Sequence, residues 1–460
     1  MLERLARFVQ NRFIRGRSLN PTRLVAESFG LIILAGALLL TLPVATRSGE
    51  SIDFFTALFT ATSATCVTGL VLVDTWLTWS LFGQTVILLL IQLGGLGFMT
   101  VITLISLAAH RRIGLSERLI MVSTLNLNDL DGVVRVVRRA LTGTALFELL
   151  GAALLSFRMI PRFGLARGLW HALFHSVSAF CNAGFDLQGG ATGAFSSLSD
   201  FHNDPLVLLT TAGLIVVGGL GFFVWEDVAK NRRWRKLTLY SRLVLSITIF
   251  LILFGAAFFM VTEGDNPATL GGMGTGEKWL NALFQSITFR TAGFNVIDQG
   301  AMRDNSQVMG CILMLIGGSS GSTAGGIKTV TVWVLFMVLF TSLRGRETII
   351  FRGRTLPLRR VMNAVTIFLI VLLLQLGGAM ALSLADGVPF LPAAFETASA
   401  LGTVGLTTGL TPWLSTPSHV LLIVLMYTGR VGVLSISIAF LIGRKYFPQI
   451  KYPEFSVMIG

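Results

Sequence analysis

Long apolar runs alternate with short polar connections along the chain, falling near 27–43, 80–107, 136–157, 205–226, 241–262, 306–342, 361–384 and 418–443. As helices rising about 1.5 Å per residue, such runs cross most or all of a hydrocarbon layer roughly 30 Å thick. The pattern predicts eight crossings. Between the two runs of each successive pair lies a shorter amphipathic stretch of one repeated form: ALFTATSATCVTG (57–69), ALFHSVSAFCNAG (172–184), ALFQSITFRTAG (282–293) and AAFETASALGTVG (393–405). Their final residues, Gly69, Gly184, Gly293 and Gly405, are 115, 109 and 112 residues apart, so one unit of roughly 110 residues is used four times.

A segment too short to cross must dip in and return. Non-helical backbone survives at membrane depth only where protein covers it or where it lines a polar cavity, because lipid cannot hydrogen-bond its amides. Four re-entrant segments meet this condition around a common axis. Each short helix then directs its partially negative C-terminal end inward, and the residues after it can offer carbonyl oxygens in place of a cation's water shell. A glycine closing each motif permits the unusual backbone angles this requires. The plainer alternative is four ordinary buried turns, since glycine is common in membrane helices. Four equivalent glycines in four aligned units argue against it.

Composition agrees: 53% of the 460 residues are hydrophobic and only 13% charged, which places the chain among polytopic membrane proteins. The net charge of +13 would suggest nucleic acid in a soluble protein, but here Lys and Arg collect in the connections at 1–23, 110–139, 230–242, 344–360 and 444–451. Eight crossings put all five on one side, the cytoplasmic side under the positive-inside bias, together with both termini. The bilayer is the implied partner, and no nucleic acid. The opposite loops hold Glu50, Asp53, Asp74, Asp186, Asp200, Asp204, Glu263, Asp265, Asp298 and Asp386, an acidic mouth that raises local cation concentration. Arg158, Arg162 and Arg167 depart from this bias with no explanation in the sequence. Cys66, Cys181 and Cys311 form no CxxC pair, so neither a disulfide framework nor a metal site is indicated. The start, MLERLARFVQNRFIRGR, spaces Leu2, Leu5, Phe8, Val9 and Phe13 as an interfacial helix would, and residues 1–26 are expected on the cytoplasmic surface rather than cleaved as a signal.

At the four motifs the chain resembles the Trk/Ktr/HKT superfamily of potassium transporters, most of all the bacterial KtrB-type membrane subunit, over nearly its whole length. The resemblance implies an all-α polytopic membrane protein in which four M1–pore helix–M2 repeats surround one pore in fourfold pseudosymmetry. On this basis the repeats fall at 27–110, 111–229, 230–345 and 346–447, with a tail at 448–460 that enters a dimer contact. The selectivity-filter strands carried over by motif are Thr65, Cys66, Val67, Thr68 and Gly69; Cys181, Asn182, Ala183 and Gly184; Arg290, Thr291, Ala292 and Gly293; and Gly402, Thr403, Val404 and Gly405. Potassium is held there by backbone carbonyls. Some plant relatives carry serine at the first filter glycine and favour sodium, so Gly69 implies potassium. The resemblance further implies a homodimer in the bacterial cytoplasmic membrane and a separate cytosolic, nucleotide-binding regulatory ring of the KtrA type. This chain itself would hold no cofactor, and activation or coupling by sodium stays open.

The run 306–342 poses its own problem, because about 37 helical residues would measure roughly 55 Å. It must break or protrude. Ten small residues of poor helix propensity, Gly317, Gly318, Ser319, Ser320, Gly321, Ser322, Thr323, Ala324, Gly325 and Gly326, mark the break and resemble the intramembrane gating loop of Ktr-type proteins. GSTAGGIKT (321–329) superficially matches the nucleotide-binding GxxxxGK(S/T), but Ile327 separates the last glycine from Lys328 and no soluble strand precedes it. LGGLGF (93–98) and VGGLGF (217–222) read as close packing within the second apolar helix of each repeat rather than as dinucleotide glycines.

Arg430 lies mid-span, where a charge is costly and usually functional. By resemblance it faces the cavity under the filter, where it would contact the loop and oppose cations until the loop moves; a structural pairing is the alternative. Arg290 and Glu396 are expected to pair with each other behind the filter. His171 and His175 have i, i+4 spacing without an HExxH pattern, and the repeats set Asn281 and Gln285 opposite them, as polar pore-helix positions rather than zinc ligands. No cluster of nucleophiles or acids suggests an enzyme. A sodium conductor, a sodium-coupled transporter, or a secondary transporter of another solute built from broken helices remain the alternative functions.

Overall fold

The structure is a computed structural model that describes residues 21–97, 133–346 and 348–432. The amphipathic start (1–20), most of the connection at 110–139, the end of the last apolar run and the tail at 448–460 lie outside the described residues. The chain forms an all-α membrane protein in which the order long helix, short buried helix, second helix recurs four times. The first set is α1 (Pro21–Leu40), α2 (Phe54–Cys66) and α3 (Leu81–Leu96); the second is α4 (Val133–Phe163), α5 (Leu165–Phe180) and α6 (Pro205–Leu220), with α7 (Phe222–Asn231) continuing it. The third comprises α8 (Leu239–Glu263), α9 (Thr275–Thr288), α10 (Asp304–Leu315) and α11 (Thr329–Leu343). After a hairpin of β1 (Ile350–Phe351) and β2 (Arg354–Thr355) come α12 (Leu358–Asp386), α13 (Phe390–Gly402) and α14 (Thr416–Val431).

The short helices form the centre. In α2 every residue from Phe59 to Cys66 is buried, and a helix apolar or small all round is stable only when enclosed on all sides. Thr60 and Thr62 return their hydroxyls to the carbonyls of Thr56 and Leu58, at 2.9 and 2.7 Å, which satisfies them without water. Asp53 caps α2 by accepting from the amides of Phe55 and Thr56, and Asp204 caps α6 in the same way ahead of Pro205. Neighbouring sets interlock cyclically. α3 packs on α5, α6 on α9, α10 on α13, and α14 on α2, which returns the ring to its start.

Three described helices, α4, α8 and α12, have lengths and compositions that cross a membrane singly, and α6 and α7 do so as a pair bent by 98°. Among the described residues no other helix is both long and apolar enough to cross singly. The second helix of every set stops short: α3 before Gly97 (φ +79°), α6 before Gly221 (φ +89°), α14 before Gly432 (φ +91°), and α10 at Leu315 ahead of the glycine–serine segment. This corrects the placement of LGGLGF and VGGLGF wholly inside helices. Their first glycines do pack closely, since a Cβ on Gly94 or Gly218 would stand 1.9 or 2.0 Å from the carbonyl oxygen of Thr65 or Phe180. Their last glycines end the helix, because their left-handed φ suits a residue without Cβ.

The face carrying the acidic connections accounts for two unexplained arginines. Arg158 pairs with Asp204 at 2.9 Å, and Arg162 pairs with Asp200 while lying over the Phe201 ring. On the opposite face the basic connection after α11 folds into the β1–β2 hairpin, turned by Arg352 and Gly353 at positive φ and held to α11 by Trp333 against Phe351.

Candidate ion pathway

Each short helix ends in a strand of the same unusual conformation. Two residues before the closing glycine, Val67, Asn182, Thr291 and Thr403 have φ of 57°, 60°, 63° and 51°. The glycines Gly69, Gly184, Gly293 and Gly405 are also at positive φ, and the residues between are not. Left-handed backbone at a β-branched residue costs about 1–2 kcal/mol, and here it recurs at three of four equivalent places. Alternating handedness swings successive peptide planes so that their carbonyls can share one face of the strand, the arrangement ion-coordinating strands need.

Three helix ends achieve the turn identically. Thr68, Ala183 and Val404 donate their amides to the carbonyls of Ser63, Ser178 and Ser399, each at 2.8 Å, while Val67, Asn182 and Thr403 donate to Ala64, Ala179 and Ala400. This is the paired bonding of a Schellman cap, usually built on glycine. The third set differs, with Ala292 donating to Thr288 and Arg290 to Ile287. Behind the strands, Gly69 and Gly405 donate to the hydroxyls of Ser63 and Ser399 at 3.0 Å, and Phe294 donates to Thr288 at 2.9 Å.

The four strands meet in a closed ring. A Cβ on Gly69 would stand 2.5 Å from the carbonyl oxygen of Ala183; on Gly184, 2.9 Å from that of Ala292; on Gly293, 2.3 Å from that of Val404; and on Gly405, 2.2 Å from that of Thr68. Only glycine fits at each contact. Around the ring the hydroxyls of Thr65, Thr68, Thr291 and Thr403 are buried without a hydrogen-bond partner among the described residues. Buried polar atoms left so normally meet water or an ion.

Beneath the ring runs the segment 317–326, and it is tied down rather than loose. The amides of Ser319 and Thr323 donate to the carbonyls of Gly219 and Gly218 at 3.0 and 3.2 Å, Phe222 donates back to Gly321, and Gly317 and Ile327 bond across the segment's base. Thr323 donates its hydroxyl to the Phe180 carbonyl at 3.1 Å and lies 3.2 Å from the Asn182 side-chain oxygen. A Cβ on Gly325 would stand 2.0 Å from the Thr403 hydroxyl, so the segment abuts the second and fourth strands. Lys328 Nζ donates to the Ala324 carbonyl at 2.7 Å. Arg430 donates to the carbonyls of Thr323 and Gly94, and to Gly95 at 3.1 Å, which joins α14, the segment and α3.

The expected pair of Arg290 and Glu396 does not form. The Glu396 carboxylate instead accepts from the Thr407 hydroxyl at 2.7 Å, the Thr408 amide at 2.8 Å and hydroxyl at 3.0 Å, and the Thr411 hydroxyl. It thus holds the loop that leaves the fourth strand. Arg290 points the other way and donates to the Gly317 carbonyl at 3.4 Å. The local Thr407, Thr408 and Thr411 donors outcompete a distant guanidinium because a charged acceptor gains from several short donors at once. His175 lies 3.2 Å from the Thr211 hydroxyl, and His171 sits between the Trp76 and Phe163 rings. Asn281 donates to the carbonyls of His202 and Glu277, and Gln285 to Gln299.

One cluster escaped the sequence. Glu148, in α4, takes a hydrogen bond from Gln92 at 3.2 Å, and both stand near the Cys181 thiol at the start of the second strand. A lone carboxylate inside the apolar run 136–157 was the available signal.

Comparison with known proteins bears on this geometry. The chain is 41% identical to the potassium/sodium uptake protein NtpJ of Enterococcus hirae, over 96% of this chain and 98% of that one. It is 40% identical to the Ktr system potassium uptake protein B of Bacillus subtilis, over 98% and 99% of the two chains. Its fold resembles the crystal structure of the potassium transporter TrkH from Vibrio parahaemolyticus with a TM-score of 0.72 at 18% identity, covering 93% of this chain and 86% of that one. The family model described as TrkH, cation transport protein, matches residues 13–450. A family match over almost the whole chain, joined to a closed ring of four re-entrant strands, places this protein in the TrkH family of cation transport proteins.

Proposed function

We propose that this protein takes potassium into a bacterial cell across the cytoplasmic membrane, down its electrochemical gradient, through the ring of four strands. The single observation that carries the proposal is the ring itself: four glycines, each closed against a carbonyl oxygen of the next strand. The carbonyls of Thr68, Ala183, Ala292 and Val404 stand at those contacts and are the ion ligands of this proposal, with the unpartnered threonine hydroxyls beside them. A membrane potential supplies about 2.3 kcal/mol per 100 mV for each inward charge. The names of the Enterococcus hirae and Bacillus subtilis relatives, both uptake proteins for potassium, support the choice of ion.

The segment 317–326 is the gate. Held under the second and fourth strands, with the Arg430 guanidinium against Thr323, it puts both bulk and positive charge on the exit path. Conduction requires that the Thr323 contact open. A cytosolic regulatory subunit that binds nucleotide would drive this from the basic face. That relatives are named as proteins of a Ktr system supports such a partner, and a homodimer of this chain accompanies it. Sodium is the second ion to consider, because one relative is named for potassium and sodium together.

Uptake of rubidium and of sodium into proteoliposomes tests the proposal. Wild type is expected to prefer rubidium, and Gly69→Ser, which adds a side chain at φ +97°, to lose that preference. Equal uptake of both ions by wild type would assign the sodium-conducting function, and transport of neither would remove the pore.

A further inference from the structure

On the acid-rich face, between the first and second helix sets, a cleft of about 690 Å3 is lined by Arg47, Trp76, Gln84, Arg167 and Trp170 together with Thr46 and Ser80. Its walls are fixed. The Arg47 amide donates to the Thr78 carbonyl at 2.9 Å, and its guanidinium lies 4.0 Å above the Trp76 ring. Trp170 donates its indole N–H to Gln84 at 2.8 Å, which ties α5 to α3 at the floor.

The cleft concentrates positive charge that no described carboxylate neutralises by an ion pair. Arg158 and Arg162 on the same face each have an aspartate, whereas neither Arg47 nor Arg167 makes an ion pair among the described residues. Asp74 is the carboxylate that also acts on Arg47, but its two oxygens are taken by the amides of Leu77 and Phe195, at 2.8 and 2.9 Å. Burial and then the neighbouring Arg167 push the Arg47 guanidinium below its usual range. Arg167 stands in the first turn of α5, whose N-cap, Gly164, supplies no side chain. The first amides of that helix therefore have no intrahelical acceptor and present the positive end of its dipole to the same space. Leu81 lines the cleft and is exposed at 63%, and Leu165 and Leu169, next in sequence to the lining residues Ala166 and Trp170, are exposed at 68% and 49%; with the two tryptophans they have the amphipathic character typical of a membrane interface.

We propose that this cleft binds the phosphodiester headgroup of an anionic phospholipid, with Arg47 and Arg167 on its phosphate oxygens and the acyl chains along Leu81 and Leu165. Paired guanidinium groups match phosphate geometry, and the apolar rim selects a lipid over a free anion. The same phosphate chemistry could be met by inorganic phosphate, so the test separates the two sources. Purified, delipidated protein in detergent is titrated with dihexanoyl-phosphatidylglycerol, with dihexanoyl-phosphatidylcholine and with inorganic phosphate, and the thermal midpoint is followed. Phosphatidylglycerol is expected to raise the midpoint at concentrations where the other two do not. Arg167→Gln is expected to weaken that response about tenfold, the scale of one charge-assisted contact, while Arg167→Lys retains part of it. Because Arg167 is exposed, its variant should keep the lipid-free midpoint; if it does not, Arg47→Gln serves as the second arm. An equal response to inorganic phosphate would overturn the lipid source. A response that is equal for phosphatidylcholine, or unchanged in both glutamine variants, would overturn the site.

Discussion

Arg430, in the last described turns of α14, donates a hydrogen bond to the carbonyl oxygen of Thr323, 107 residues earlier in the chain and directly beneath the second strand of the ring. One guanidinium thus couples the fourth helix set to the interruption in the third, and its other nitrogen reaches the end of α3 in the first.

Removing that contact should free the segment. Arg430→Ala is expected to raise rubidium flux into proteoliposomes about tenfold, the scale of a charge-assisted hydrogen bond, with wild-type ion preference because the ring is untouched. Arg430→Lys keeps the charge but loses the forked donor geometry and should fall between. Flux in Arg430→Ala at or below the wild-type level, in protein that is still folded, would mean that the residue only braces α3.

The closing glycines make a sharper prediction. In Gly405→Ala the new Cβ meets the Thr68 carbonyl oxygen, a backbone atom that cannot rotate away. The ring must distort, and rubidium uptake should fall at least tenfold, at a cost to stability of about 1–3 kcal/mol. Gly272→Ala, where nothing lies within 4 Å of a Cβ, is the control and should leave uptake unchanged.

Glu396 and Arg290 should behave independently. Glu396→Ala leaves the Thr407, Thr408 and Thr411 donors without an acceptor and is expected to cost about 2–4 kcal/mol, read as a drop in the thermal midpoint. The double variant with Arg290→Gln should equal the sum of the two single effects within about 0.5 kcal/mol. A coupling above 1 kcal/mol would restore the direct pair that the geometry excludes.

How much of this could be read from the chain differs by element. The four glycines and the four short helices were visible because a repeated motif needs no partner to be recognised. The 317–326 interruption was visible from composition, and so was the isolation of Arg430. The stops at Gly97, Gly221 and Gly432 were not, because a glycine ending a helix and a glycine packing inside one look alike until the neighbouring backbone is placed. Nor was the fate of Glu396: its three threonines lie within 15 residues, but only the turn after the fourth strand brings them onto one carboxylate. The pairings of Arg158 and Arg162 required the loop before α6, whose aspartates serve as cap and counter-ion together.

At the acid-rich mouth, pH should matter. Burial, reinforced by Asp74, pushes the Asp186 carboxyl up to about 6. A carboxyl raised in the folded state favours folding while protonated, so this contribution is full below about pH 4 and is lost as pH climbs through about 6. Partial contact with water keeps it to about 1–2 kcal/mol. Asp186→Asn should therefore raise the thermal midpoint at pH 7 and match wild type at pH 4, by thermal unfolding across that range. A variant less stable than wild type at pH 7 would show that the charged form is needed.

The central claim, that the ring of four strands is the ion path, is tested most directly by anomalous diffraction from crystals grown in rubidium. The predicted result is a peak on the ring axis, among the carbonyl oxygens of Thr68, Ala183, Ala292 and Val404, that disappears in Gly405→Ala. A peak off that axis, or an axis without one in protein that transports rubidium, would contradict it.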